Sequence, residues 1–360
     1  MRNSIFTLFI ALIVTSALST LCVREHRVPE YVPSIKRLSA PPDFFDRHEE
    51  YYNWQSENIL DLVEEVIIIY PPHVSEPLTR QMAMLMLDAV FHDEEAPARP
   101  SVQAFHNSRT AHALNEMEIS RVKKGAFIWK LYDMGIVIRT KSVTLGFDLV
   151  RGYSSKVEEF AITDSLMEAI IDQCDVLFIT HKHRDHADEW VARKFLDQGK
   201  PVVAPPQVWE DIPLFDKITH LEREAHKIQY LPVQSGKIDL KTVIYPGHQG
   251  TSTENNVTLV ITPENIIFCH TGDQSLIDDF SWIDEVGSHF RVDVLIPNCW
   301  TTDPVRTASG YNPKLIIPAH ENELGHTIDH REAYALDYSR WDVPYPKIIM
   351  TWGERYHYKP

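Results

Sequence analysis

The sequence predicts an α/β protein, a layered sandwich of sheets covered by helices, preceded by a helical extension. Three observations carry this. Short apolar segments of strand character recur from Ala126 to Pro318, with helical periodicity between several of them. Ahead of them, residues 43–123 carry apolar side chains at spacings of three and four, as helices packed on one face do. The chain has 360 residues, 44% hydrophobic and 24% charged, which is enough for one large domain with an extension.

At the N-terminus an apolar run at residues 5–18 follows Arg2, and Ala17-Leu18-Ser19 supplies the small residues that a signal peptidase needs. Residues 1–19 therefore read as an export signal, with a mature chain starting near Thr20 in the periplasm or outside the cell. The competing reading is an uncleaved anchor, because the apolar stretch extends through Val23 toward the roughly 20 residues that span a bilayer. Cys22 follows Leu21 rather than a small residue, which disfavours lipid attachment. Residues 20–42, rich in proline and charge, read as a linker or arm. Four cysteines are too few for a disulfide framework, and Cys174, Cys269 and Cys299 lie within or beside apolar runs, so buried free thiols are expected.

In the extension, residues 43–123, Leu60, Val63 and Ile67 form one helical face, and Leu78, Met82, Leu85, Met86 and Val90 a second that should pack against the next domain. Ser75 and Pro77 mark the start of that second helix. Residues 124–360 read as a catalytic domain. Its strands are expected at 127–132, then after a turn at Asp133-Met134-Gly135 at 136–140, and at 143–149, 176–180, 201–204, 242–245, 257–262, 266–270, 292–297 and 315–318. Helices are expected at 188–198 and 274–286.

The charge balance, 35 basic against 51 acidic residues, gives a net −16 with no segregated basic patch. Such a surface repels phosphate backbones, so no nucleic-acid partner is expected. A small anionic substrate held through metal ions is compatible with it. The sequence does not address the oligomeric state.

The chemistry concentrates at His181-Lys182-His183-Arg184-Asp185-His186, directly after an apolar strand. Residues two apart in an extended segment point the same way, so His181 and His183 can converge on one cation while the following bend offers Asp185 and His186 to a second. Imidazole with carboxylate suits zinc, iron or manganese rather than calcium. Two sites need further ligands, and other strand ends supply candidates: His248 in Tyr245-Pro246-Gly247-His248-Gln249-Gly250, Asp273 in His270-Thr271-Gly272-Asp273, and His320 in Ile316-Ile317-Pro318-Ala319-His320. His270 can orient Asp273 or face solvent. His326 and His330 stand near the last candidate on a polar segment, where surface histidines are common.

The pattern H-x-H-x-D-H, then Pro-Gly-His-x-Gly, then Thr-Gly-Asp, then a strand-terminal His, resembles the metallo-β-lactamase superfamily over residues 124–335. The resemblance implies an αβ/βα sandwich with a two-metal site at one edge between the sheets. It also implies that His181, His183 and His248 hold the first metal, that Asp185, His186 and His320 hold the second, and that Asp273 bridges them. Asp148, in Gly146-Phe147-Asp148, would support the site from outside the ligands. The segments 293–297 and 313–320 are most similar to the ascorbate-6-phosphate lactonase and N-acylphosphatidylethanolamine phospholipase D group, whereas the segment from Glu321 to His326 and the helical extension depart from it. The interval from Asp273 to His320 is too short for the large insertion of the nuclease branches.

The expected function is therefore a metal-dependent hydrolase acting on a small-molecule lactone, ester, amide or phosphodiester. A hydroxide at two divalent ions, zinc first with manganese or iron as alternatives, would be the nucleophile. Asp185 would be both ligand and catalytic residue, orienting the nucleophile or taking up a proton. A β-lactamase is the alternative within enzymes. Outside them the alternative is a metal-stabilised scaffold or partner-binding protein. A redox enzyme with a flavin partner domain is disfavoured, since no such domain follows His320.

Overall fold

A computed structural model describes residues 39–154 and 160–360. The predicted export segment, Cys22 and most of the 20–42 arm lie outside the described residues. No described helix is long and apolar enough to cross a membrane.

The first sheet starts as a meander of β1 (Ala126–Lys130), β2 (Ile136–Arg139) and β3 (Thr144–Phe147). The turn between β1 and β2 is closed by Gly135 N–H donating to Tyr132 O at 2.8 Å, with Asp133 left-handed at φ 55°. β4 (Val176–Phe178) and β5 (Val202–Val203) add in parallel, and β12 (Glu354–Tyr358) pairs antiparallel with β1, giving the order β12-β1-β2-β3-β4-β5. The second sheet contains β6 (Gln229–Val233), β7 (Ile238–Gln249), β8 (Thr253–Ile261), β9 (Ile267–His270), β10 (Val294–Ile296) and β11 (Leu315–Ile316). Their order is β11-β10-β9-β8-β7-β6.

Side-chain alternation along the strands builds the layers. Ile128, Ile136, Leu145 and Phe178 of the first sheet meet Ile244, Val260, Phe268 and Val294 of the second in one buried cluster. The opposite face of the first sheet, with Trp129, Val137 and Leu177, packs on α4 (Asp164–Gln173) and α5 (Glu189–Asp197) through Ile170 and Phe195. The outer face of the second, with Val243, Leu259 and Leu295, packs on α6 (Phe280–His289) through Ile283 and Val286. The layers run helix, sheet, sheet, helix, the α/β sandwich that the sequence predicts.

Helices α1 (His48–Ile69), α2 (Leu78–Phe91) and α3 (Pro100–Ile119) share a core with Tyr132 and Trp352. Here the structure corrects the expected face of α2. Of the expected face, Val90 is buried and Met86 packs half-buried against the core, but Leu78, Met82 and Leu85 are exposed, and Ala83, Met84, Leu87 and Phe91 are buried in their place. Two polar anchors set this rotation. Arg80 donates through both Nη atoms to Glu354, each at 2.6 Å, and Asp88 accepts from Asn322, Tyr334 and Ala335; their bonds exist only on the inward side. Glu354-Arg355-Tyr356-His357-Tyr358 has no apolar run, so its strand comes from pairing with β1 rather than from a pattern of its own.

Candidate metal centre

Loops leaving β1, β3, β4, β9 and β11 bring polar side chains to one place. Several of these positions hold left-handed backbone: Asp133 (φ 55°), Asp148 (φ 43°), Gly272 (φ 51°), His320 (φ 82°) and Asn322 (φ 54°). Non-glycine residues avoid that region at a cost, and such a concentration points to a functional rim. Gly272 has no alternative, because a Cβ there would lie 2.5 Å from both Asn255 Oδ1 and Thr180 Cβ.

Within this rim His186 Nε2 lies 3.1 Å from Asp185 Oδ2 and 3.4 Å from Asp273 Oδ2. His320 Nε2 lies 3.4 Å from both Asp185 Oδ2 and Asp273 Oδ1, and His181 Nε2 lies 3.6 Å from Asp273 Oδ2. Asp273 thus faces nitrogens of all three histidines. Asp133, read from the sequence as a turn residue, is fully buried with Oδ1 3.3 Å from His320 Nδ1 and Oδ2 3.7 Å from His186 Nε2. His181 Nε2, His186 Nε2, His320 Nε2, Asp273 Oδ1 and both oxygens of Asp133 are buried without a hydrogen-bond partner. Buried polar atoms are rarely left so, and here they point at one another.

The supporting bonds assign the ring nitrogens. Asp148 Oδ2 accepts from His186 Nδ1 at 2.8 Å, and Asp279 Oδ1 accepts from His248 Nδ1 at 2.9 Å. A carboxylate only accepts, so Nδ1 carries a proton in both rings and Nε2 is the atom free to ligate. The Thr180 hydroxyl donates to Asp148 Oδ2 at 2.6 Å and lies 3.2 Å from His181 Nδ1, extending the same logic to His181. The Asp273 turn is held by Asn255, whose Oδ1 accepts from Asp273 N at 3.0 Å while its Nδ2 donates to Thr271 O at 2.7 Å. On the far side of His320, Glu321 pairs with buried Lys130, which also donates to Pro318 O at 3.3 Å.

Burial pushes the His181 imidazolium down to about 3, so that ring is neutral near pH 7. For His186 burial also acts downward, but the carboxylates of Asp273, Asp185 and Asp148 raise it well above the ordinary histidine value. Asp273 is the converse: burial acts upward, and His320 and His186 hold it well below the usual carboxylate range. Burial pushes Asp133 up to about 7 and, with the charges of Asp185 and Asp133, Glu323 up to about 8. Protons shared among crowded donors are what a cation displaces on binding. The donor set fits divalent metal.

Of the seven predicted ligands, the structure brings His181, Asp185, His186, Asp273 and His320 into two overlapping donor groups, with His186 common to both and Asp133 added to one. His183 and His248 stand outside those groups. His183 is exposed, its ring 4.7 Å from that of His181. His248 is half-buried, and its carbonyl accepts from Ser275 N at 2.9 Å, joining its strand to the Asp273 turn. His270 is buried rather than solvent-facing: Nδ1 accepts from Gly272 N at 3.2 Å and Nε2 lies 3.1 Å from Met134 O, so it braces the turn before Asp273. His326 stacks 5.7 Å from His320, while His330 is exposed. Sequence reading missed Asp133, Asp279 and Glu323. Asp133 follows an apolar run, the same signal that flagged Asp273 and His320. Cys174, Cys269 and Cys299 are buried free thiols, as expected. A groove of about 490 Å³ between α1 and α3, lined by Glu57, Asp61, Glu64 and Ser101 among others, contains no histidine.

Solved structures resembling this chain include the metallo hydrolase Igni18 from Ignicoccus hospitalis, at 14% identity, covering 65% of this chain and 99% of that one, with TM-score 0.49. An isothiocyanate hydrolase from Delia radicum gut bacteria matches at 13% identity over 65% of this chain and 100% of that one, TM-score 0.45. CmlA, a diiron β-hydroxylase from Streptomyces venezuelae, matches at 12% identity over 67% of this chain and 55% of that one, TM-score 0.47. Likeness at this level assigns no activity to the chain. No protein-family model matches the sequence, and no curated protein does.

Proposed function

We propose that the chain is a metal-dependent hydrolase cleaving a lactone, other ester, amide or phosphodiester bond in a small molecule. The observation that carries this reading is the convergence of buried, unpartnered donor atoms on His181, His186, His320, Asp273 and Asp133. His181, His183 and His248 would hold one divalent cation and Asp185, His186 and His320 a second, with Asp273 shared. When bound, such ions supply an acidified water as nucleophile and a Lewis acid for the carbonyl or phosphoryl oxygen.

The chain's own residues do the rest. Asp148 and Thr180 fix the imidazoles of His186 and His181 so that Nε2 faces inward, and Asp279 holds Nδ1 of His248. Asp185, whose Oδ2 faces His186 and His320, orients the attacking water and takes its proton at Oδ1. Trp300 and His326, with ring centroids 5.8 and 5.7 Å from His320, would be the rings beside a substrate bound there. The similarity of segments 293–297 and 313–320 to the lactonase and phospholipase D group makes lactones and phosphodiesters the first substrates to try.

The test is a hydrolysis screen of metal-loaded protein, its loading verified by elemental analysis, across the four bond classes. Turnover of at least one class is expected, and Asp185→Asn should lower kcat about 100-fold or more with KM little changed, because a group that positions the nucleophile acts at the transition state. Fully loaded wild-type protein inert on every class would instead favour the metal-stabilised scaffold.

A further inference from the structure

Two kinds of carboxylate surround the histidines, and Asp133 differs from the kind that only orients them, because one of its oxygens faces a ligating nitrogen. Asp148 accepts from His186 Nδ1 and also from Thr180 N, at 2.8 Å each. Asp279 accepts from His248 Nδ1 and from His248 N, at 2.9 Å each. Both are fully engaged on the side of the ring away from the ligating nitrogen. Neither carboxylate oxygen of Asp133 makes a hydrogen bond, although the residue is completely buried; Oδ1 lies 3.3 Å from His320 Nδ1, and Oδ2 faces Nε2 of His186, the ligating side. A buried carboxylate without a partner is costly, and the left-handed backbone at φ 55° adds to that cost. A bound cation would offset both.

Counting donors then separates the two positions. On the proposed reading the first would take the imidazoles of His181, His183 and His248 with the shared Asp273, four donors, the number zinc commonly takes. With Asp133 the second has two imidazoles and three carboxylates, Asp133, Asp185 and Asp273. Oxygen-rich sets with more than four protein donors suit manganese or iron(II) better than zinc. Building on the reading of this cluster as a metal centre, we propose that Asp133 is a direct ligand of the second cation and that this third carboxylate biases the second position toward manganese or iron(II).

The test uses full-length protein stripped with chelator, given one equivalent of zinc, and then titrated with Mn²⁺ or with zinc, the free Mn²⁺ being read by electron paramagnetic resonance. Wild-type protein should take up one Mn²⁺, with zinc preferred at this second position by less than tenfold, although zinc ordinarily outcompetes manganese by far more. Asp133→Asn should weaken Mn²⁺ binding at least tenfold and zinc binding less than threefold. Asparagine tolerates the left-handed turn, so the metal-free variant should keep the wild-type thermal midpoint. Equal weakening of both metals would reduce Asp133 to a residue positioning His320, and unchanged Mn²⁺ binding would remove it from the site. If the variant does not fold, the wild-type preference still decides, since strong selection of zinc at the second position overturns the proposal. Metal uptake as described in a protein inert toward every substrate would refute the hydrolase and leave this inference standing.

Discussion

Asp148 Oδ2 and His186 Nδ1 lie 2.8 Å apart, both fully buried, and the same carboxylate accepts the backbone N–H and the hydroxyl of Thr180. One side chain on the loop after β3 thereby fixes the ring plane of a histidine on the loop after β4. Asp148→Asn keeps the shape and removes the charge that favours an Nδ1 proton. Metal affinity should fall about 10- to 100-fold, the usual cost of losing a carboxylate behind a ligating imidazole. Calorimetric metal titration checks this, and unchanged affinity would make Asp148 a purely structural residue.

The helical extension reaches the site through Asp88. This residue of α2 accepts from Asn322 Nδ2 at 2.8 Å, two residues past His320, and from Tyr334 N at 2.8 Å and Ala335 N at 2.9 Å at the start of the helix Tyr334–Arg340. Asp88→Ala leaves two buried donors and one half-buried donor unmet and should cost about 2 to 4 kcal/mol by chemical denaturation. It should also weaken metal binding, because the loop carrying His320 loses its tether. Full stability with intact binding would show the extension to be independent of the centre.

Acid should destabilise the protein through His106. The ring stacks 5.1 Å from Phe160 inside an aromatic cluster, and burial pushes its pKa down to about 3. The unfolded chain, with an ordinary histidine value near 6.5, binds a proton between these limits that the folded chain does not. Stability from this residue is therefore fully present above pH 6.5 and is lost as pH falls toward 3. From pH 7 to pH 5 the loss amounts to about 2 kcal/mol. His106→Phe should remove that part of the slope; denaturation curves of variant and wild type that fall in parallel would contradict it.

The legible part of the site was the part with local spacing. His181, His183, Asp185 and His186 occupy six positions after one strand, and His248, Asp273 and His320 each close an apolar run and a turn. Asp133 does the same, but an aspartate between two strands is also an ordinary turn residue, and only the positions of His186 and His320 distinguish the cases. Asp279 supports His248 from 31 residues away with no pattern joining them. The layered fold followed from strand and helix periods. The rotation of α2 did not, because apolar residues occupy two neighbouring faces and the choice rests on Arg80 and Asp88 meeting partners far along the chain. β12 was invisible because its neighbour β1 supplies its partner bonds.

On the proposed reading, the unpartnered donors around Asp273 hold two cations. Elemental analysis of purified, remetallated full-length protein counts them directly. Close to two divalent ions per chain are expected, with Asp273→Ala lowering occupancy at both positions because its carboxylate faces nitrogens of both sets. One ion or none in the wild-type protein, or unchanged stoichiometry in Asp273→Ala, would contradict the account.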